Sequence, residues 1–225
     1  MINITKSLPE PSDLAAERTK RSGEYRTDGV LKRLRADFFN KCYICEYKNP
    51  TTINVEHFVP HKGNLELKLD WNNLFWSCAH CNNIKLGNFD NMLNCTVLED
   101  DVENAIKLSL ELPFATKQVT VTSLNDDVKT LTTADLLHKV YNGTTVLKSI
   151  ESHYIRESLS KELLEFIRLI NDYYTAHEDN YKEILKAQIG AQLHSSSAFT
   201  GFKRWIVKDD PILFEEFGSN MITSA

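Results

Sequence analysis

Cys42-Tyr43-Ile44-Cys45 and Cys78-Ala79-His80-Cys81 are two C-x-x-C pairs separated by thirty-two residues. Two residues between thiolates let both sulfurs of a pair reach one ion, and two such pairs complete a closed tetrahedral zinc site. Cys42, Cys45, Cys78 and Cys81 are therefore expected to hold a structural Zn2+ that staples the base of the intervening loop. A thioredoxin-like redox pair is the rival reading, but it needs a βαβ setting that the surrounding pattern lacks. Cys95 is left over and reads as a buried apolar residue.

Around this staple the chain is dense in Cys, His, Asn and aromatic residues and poor in helical periodicity. Ile53 to Val59 has strand composition, as does the stretch around Leu74-Phe75-Trp76. Ser77 is placed to cap a helix from Cys78 to Leu86, and Gly87 to end it in the left-handed conformation. The order is strand, strand, helix. Upstream, residues 6–28 read as a polar arm, followed by a short helix over residues 30–39. Downstream, Gln118 to Ser123 alternates as a half-buried strand, and Asn125-Asp126-Asp127 is a turn. Thr133 is expected to cap a helix reaching Tyr141, which Asn142-Gly143 breaks. Ile155, Leu159, Leu163, Phe166, Ile170 and Tyr173 then form an apolar stripe at steps of three and four. Further helices are expected around residues 181–193 and 198–207, with a last one opening at Asp210-Pro211 and ending at Gly218.

The 225 residues, 42% hydrophobic and 25% charged, match the soluble globular average and exclude fibrous or disordered chains. No apolar stretch approaches the ~20 residues of a membrane helix, and Met1-Ile2-Asn3-Ile4-Thr5-Lys6 lacks a signal-peptide core, so a cytoplasmic location without membrane contact is expected. A reducing compartment keeps thiols free, which favours metal over disulfides. The net charge of −5 hides an asymmetry: residues 1–41 carry +3, 42–89 are neutral, 90–135 carry −6 and 136–225 carry −2. Any nucleic-acid contact would fall near Arg18, Lys20, Arg21, Arg26, Lys32, Arg33 and Arg35, although charge alone fits a solvated face equally well.

Inside the stapled loop lie Val55-Glu56-His57-Phe58-Val59-Pro60, then Asn73-Leu74, then Cys81-Asn82-Asn83-Ile84-Lys85-Leu86-Gly87. An acidic residue and His with Pro three positions on, Asn-Leu before the second cysteine pair, and C-N-x-x-K-x-G resemble the HNH endonuclease family, element by element and in order. Cys45-Glu46, Glu56-His57-Phe58, Trp71-Asn72-Asn73-Leu74-Phe75 and the Thr133–Asn142 segment further resemble the PtuB branch, from bacterial Septu and retron-associated anti-phage systems. The resemblance implies an α+β, mainly helical chain: residues 1–41 a basic arm and leading helix, 42–90 a small zinc-stapled ββα-metal HNH module, and 91–225 a connector, short strands and a helical scaffold for partner docking. Two positions depart from the commonest family pattern, Glu56 where Asp is usual and Asn82 where His is usual. Both still supply a cation ligand.

Cutting a phosphodiester needs a deprotonated water and a cation to neutralise the charge that builds on phosphate. The resemblance assigns the base to His57 and a single Mg2+, or Mn2+, to Glu56 and Asn82 through oxygen ligands. Neighbours on a regular strand point to opposite faces, so Glu56 and His57 serve one site only where the strand bulges or ends. Such a distortion is expected. Asn73 should orient His57 or its strand, and Lys85 should meet phosphate; His61 reads as a surface residue near phosphate and His80 as a helix-face residue. The resemblance also implies a PtuA-type ATPase partner, in retron settings with a reverse transcriptase and its DNA product. The partner's docking surface is assigned to the helical C-terminal half, including Phe214-Glu215-Glu216-Phe217. The alternative function is a zinc-organised nucleic-acid-binding or adaptor module in which His57 has no chemistry. A base-reading zinc finger lacks a recognition helix here, and a catalytic zinc lacks an open coordination position.

Overall fold

The computed structural model describes residues 1–111 and 118–221. The loop between the cysteine pairs folds as a hairpin: β1 (Ile53–His57) runs antiparallel to β2 (Leu74–Cys78), with Ile53 opposite Cys78 and His57 opposite Leu74. Helix α3 (Leu65–Lys68) lies in the connection, its N-terminus capped by the Asn64 side chain. Helix α4 (Ala79–Lys85) follows β2 without a linker and packs on both strands. This is the expected strand, strand, helix order, with two corrections at the helix ends. Cys78 is the N-cap, because Ser77 stays in β2 with its hydroxyl turned to the Cys78 carbonyl oxygen at 3.3 Å. The residue with positive φ at the other end is Leu86, at 37°, and not Gly87.

The residues before the first cysteine pair do not form a free arm. Helix α1 (Ser12–Glu17) and helix α2 (Asp28–Asp37, capped by Thr27) pack together, and Ile2, Ile4, Leu14, Val30 and Leu34 enter the same core as Tyr43, Phe75 and Trp71. Lys6 pins this stretch to β2, donating to the Leu74 carbonyl oxygen at 2.8 Å while its ammonium lies 4.0 Å from the Trp71 ring centre.

After helix α5 (Val102–Ala105), strand β3 (Ile106–Ser109) pairs antiparallel with β4 (Thr120–Ser123). The alternation at 118–123 is thus real but shorter, and its partner β3 went unread. Helix α6 (Val128–Asn142) begins at the Asp127 cap, one and a half turns before the expected start. Thr133 is an interior residue: its hydroxyl donates to the Lys129 carbonyl oxygen at 2.7 Å and accepts from the Leu93 amide at 2.8 Å. Gly143, at φ 80°, ends the helix; a side chain there would collide with the Ser149 backbone at 2.6 Å.

Helix α7 (Val146–Thr175) is 30 residues long, about 45 Å at 1.5 Å per residue. Its apolar stripe joins two cores. Ile155, Leu159 and Leu163 pack into the core of the hairpin and the N-terminal helices, whereas Phe166 and Leu169 pack with Leu185, Ile189, Leu193, Val207 and Phe217. Those partners come from α8 (Asp179–Leu193), α9 (Thr200–Asp209) and α10 (Pro211–Phe217), the last capped by Asp210. Phe217 is fully buried and Phe214 half exposed, so the Phe214–Phe217 segment is only in part a surface. Among the described residues no helix is long and apolar enough to cross a membrane.

Candidate active site and zinc centre

The first cysteine pair sits in a tight turn. The Glu46 amide donates to the Cys42 carbonyl oxygen at 2.9 Å, the Cys42 amide to that of Tyr47 at 3.1 Å, and Glu46 takes φ 57°, a conformation unusual for a non-glycine residue. The second pair bridges the end of β2 and the first turn of α4. The four sulfurs of Cys42, Cys45, Cys78 and Cys81 lie within 4.8 Å of one another, and all four residues are buried. Burial pushes the Cys45 and Cys81 thiols well above their ordinary pKa, while hydrogen bonds from the other three sulfurs hold Cys42 well below its own against the same burial. The four reach the thiolate state together only beside a compensating cation, and four sulfurs at this spacing match tetrahedral Zn2+. The donor set fits the expected structural zinc. Cys95 stands outside the cluster, buried as expected. The Tyr141 hydroxyl donates to the Cys45 carbonyl oxygen at 2.9 Å, tying the centre to α6.

His57 closes β1 and is half-buried. Its Nε2 lies 3.0 Å from the Lys68 carbonyl oxygen. A carbonyl only accepts, so Nε2 carries the proton and Nδ1 keeps the lone pair. Burial lowers the His57 pKa, an effect reinforced by His61, Lys68 and Lys85 and opposed by the bond to the Lys68 carbonyl. Two rings flank the imidazole edge-on, Tyr25 at 4.5 Å and His61 at 4.6 Å between centres. Asn73 is buried and clamps the chain just beyond His57. Its Oδ1 accepts from the Val59 amide at 2.7 Å, while its Nδ2 donates to the Val59 and Leu67 carbonyl oxygens at 2.9 and 3.0 Å. Asn73 touches the backbone that carries the histidine, not the imidazole.

The strand does not bulge at Glu56. Pairing runs in unbroken register through Glu56 opposite Phe75 and His57 opposite Leu74, so the two side chains leave on opposite faces. Glu56 turns inward and forms a buried ion pair with Lys85, Oε1 to Nζ 2.8 Å. Lys85 is fully buried, and its ammonium also donates to the Phe58 carbonyl oxygen at 2.9 Å. The expectation that Lys85 meets phosphate is therefore corrected: it occupies the inner face of α4, where it neutralises Glu56 and caps the end of β1. Even so, burial raises the Glu56 pKa to about 7 against the opposing pull of Lys85.

Asn82 lies one turn before Lys85 on α4, half-buried. Glu56 Oε2 is buried and has no hydrogen-bond partner. Tyr43 lies beside this carboxylate and, against the burial that raises it, lowers its pKa. No hydrogen bond joins Glu56 to Asn82 among the described residues, so a hard divalent cation taken by these two would have to draw them together. The ammonium on Oε1 opposes that cation. Among the other histidines, His80 joins α4 to the long helices through Nδ1 to Glu151 Oε2 at 2.5 Å and Nε2 to the Val140 carbonyl oxygen at 2.8 Å.

One residue of this site, Tyr25, was not read as functional from the sequence, and His61, expected at the surface near phosphate, lies against the His57 ring. His61 reaches His57 because the chain turns at Pro60 directly after the strand, a signal present in the His-x-x-Pro-His spacing. Tyr25 comes from a segment more than thirty residues upstream, and nothing local announces it.

The chain is similar to the Septu protein PtuB of Bacillus thuringiensis, 31% identical over 176 residues, an alignment covering 67% of this chain and 63% of that relative. The chain thus spans a little under two thirds of the relative it matches. No solved structure matches the chain. The family model for HNH endonuclease matches residues 42–86, from the first zinc-site cysteine to the end of α4. The segment holding the cysteine cluster, His57 and Asn73 is thus the part of the chain that is similar to the HNH endonuclease family.

Proposed function

We propose that the protein is a metal-dependent endonuclease hydrolysing phosphodiester bonds of DNA, or of a structured RNA such as tRNA, as the effector of a cytoplasmic Septu-type anti-phage defence complex. The observation that carries this reading is the state of His57 within a matched HNH segment: Nε2–H held by a backbone carbonyl, Nδ1 without a hydrogen-bond partner among the described residues, and the pKa lowered. A neutral, oriented imidazole is what general-base activation of water requires. Asn73 acts by holding the turn at Val59, and Tyr25 and His61 restrict rotation of the ring. Glu56 and Asn82 would hold Mg2+ or Mn2+ for charge neutralisation at the phosphate, which requires the Glu56 carboxylate, directed to the face of β1 opposite His57, to leave its pairing with Lys85. Because Lys85 already neutralises half of the Glu56 carboxylate, the ion is expected to bind weakly and to enter with the substrate phosphate.

A chain of net charge −5 is repelled by nucleic acid at long range. A PtuA-type ATPase partner, suggested by the similarity to PtuB, would supply additional grip. The similarity reaches a Septu protein and does not extend the proposal to a retron reverse transcriptase. The Glu56–Lys85 pair favours one second reading, a non-catalytic adaptor, since it occupies the expected metal carboxylate.

The test is to co-purify the protein with its operon partners and incubate the complex with DNA and with total RNA, with and without Mg2+. His57→Ala should lower cleavage by about 10²–10⁴-fold while zinc content and binding persist. Cleavage unchanged by His57→Ala would reject the nuclease mechanism, and no cleavage by either protein would favour the adaptor.

A further inference from the structure

Residues 18–26 carry Arg18, Lys20, Arg21 and Arg26 against Glu24 alone, a net +3 in a chain of −5. The fold brings this segment to His57. The Tyr25 ring lies 4.5 Å from the imidazole, Lys68 Nζ donates to the Gly23 carbonyl oxygen at 2.6 Å, and Arg18 Nη2 donates to that of Leu69 at 2.7 Å. Gly23 is seated so closely that a side chain there would meet the Glu17 carbonyl oxygen at 2.4 Å and Leu69 Cδ1 at 2.7 Å. The segment is docked against the loop that follows His57, and its position is a built feature. That loop, residues 57–68, adds Lys62 and Lys68 against Glu66.

These cations are available. The side chains of Lys20, Arg26 and Lys62 are 60%, 59% and 78% exposed. Their partners are Glu17 at 2.5 Å, itself only 15% exposed and also accepting the Glu24 amide, and the more exposed Glu24 at 3.6 Å and Asp90 at 3.9 Å. Exposed pairs of this kind contribute little, so a phosphate displaces them at small cost. Arg21 is exposed and has no partner among the described residues. Arg18 is different, since Glu10 and the Leu69 carbonyl occupy its guanidinium.

We infer that Lys20, Arg21 and Arg26, with Lys62 across the imidazole, form the rim that grips the phosphodiester backbone of a nucleic acid on either side of His57. This rests on the endonuclease reading of His57 and extends it to the surface that delivers the substrate. The rim makes the site locally basic although the molecule is acidic. It reads charge and spacing, not sequence.

The test separates binding from cutting. The zinc-loaded full chain carrying His57→Ala is titrated with a fluorescein-labelled DNA duplex and, in a second arm, with a labelled RNA hairpin, over a range of salt. Adding Lys20→Gln, Arg21→Gln and Arg26→Gln together should weaken binding roughly tenfold or more and reduce the log–log salt slope by about 3. The arm that shows the larger loss names the nucleic acid. A control triple, Lys161→Gln, Arg168→Gln and Lys182→Gln, removes the same charge from α7 and α8 and should leave the affinity unchanged. Arg21→Gln alone, with no partner to lose, should reduce the slope by about 1 and guards against misfolding of the triple. Unchanged affinity and slope in the rim triple, equal loss in the control triple, or no binding in either arm would overturn the inference. Metal-dependent cutting by the wild type with binding indifferent to the rim sinks the rim alone. Rim-dependent binding without any cutting sinks the endonuclease reading and leaves the rim standing.

Discussion

The hairpin-and-helix module of residues 42–86 and the helical cluster built on the second half of α7 are stabilised by different means. The module packs its apolar side chains into the large core shared with the N-terminal helices and adds a four-sulfur cluster and a buried ion pair, Glu56–Lys85. The helical cluster has no sulfur site among the described residues; Phe166, Leu185, Ile189, Leu193, Val207 and Phe217 bury apolar surface from four helices, and its α9 buries the Lys203 ammonium against Glu162 of α7. The contrast shows why the chemistry sits where it does. A two-stranded hairpin with one short helix is marginal by itself, and the metal that staples it fixes backbone positions without filling the face that carries His57. The helical cluster spends its faces on packing, and its buried cations, Lys203 and Arg204, are tied to Glu162 and Glu103 rather than set beside a histidine.

Removing the metal should break the comparison most sharply. Structural zinc contributes about 10 kcal/mol or more of apparent binding free energy in zinc-finger peptides, so chelation, or Cys78→Ser, should unfold the hairpin while much of the helical circular dichroism of α7–α10 survives. Hydrogen exchange resolved along the chain would check this, and equal loss of protection in both regions would show that they fold as one unit.

Lys85→Met comes next. It strands Glu56 in the interior and should cost the module about 3–5 kcal/mol, measured by chemical unfolding. Adding Glu56→Gln should recover part of that loss, and no recovery would mean that Lys85 acts through its backbone contacts. In the helical cluster, Leu193→Ala removes a fully buried side chain and should cost roughly 2–5 kcal/mol, with zinc content and the salt dependence of nucleic-acid binding untouched. A fall in zinc occupancy there would erase the distinction between the regions.

The smallest effect is a matter of pH. Burial holds the His57 pKa below its ordinary 6.5. The base is lost on protonation, so cleavage should decline as pH falls, with the acid limb of kcat/KM centred below pH 6.5. A limb near 7 would instead report protonation of the Glu56 carboxylate, whose pKa burial raises to about 7, and would move with Mg2+ concentration, whereas a His57 limb would not.

Much of the module was legible because its chemistry is written in local spacing. C-x-x-C can be satisfied by one ion whatever the rest of the chain does, and alternating or helical periodicity reports which face is buried. The same logic located the stripe from Ile155 to Tyr173 and the Asn142-Gly143 break. The misreadings share one cause. Thr133 and Ser77 are good caps by residue type, but each hydroxyl found a partner elsewhere, and β3 was missed because four residues carry too little pattern to be recognised without their partner strand.

The amino-acid order by itself determined the zinc ligands, the strand–strand–helix succession and the candidacy of His57, since each depends on contacts within a few residues or on one ion joining two short motifs. Only the tertiary structure decided which side of β1 each neighbour would serve. It put Glu56 and Lys85 together inside, left His57 Nδ1 on the other side without a hydrogen-bond partner among the described residues, and brought Tyr25 with its basic segment to the imidazole. Those outcomes depend on the unbroken register of β1 and on packing between residues far apart in the chain, where the burial of one side chain is settled by what the other surfaces leave open.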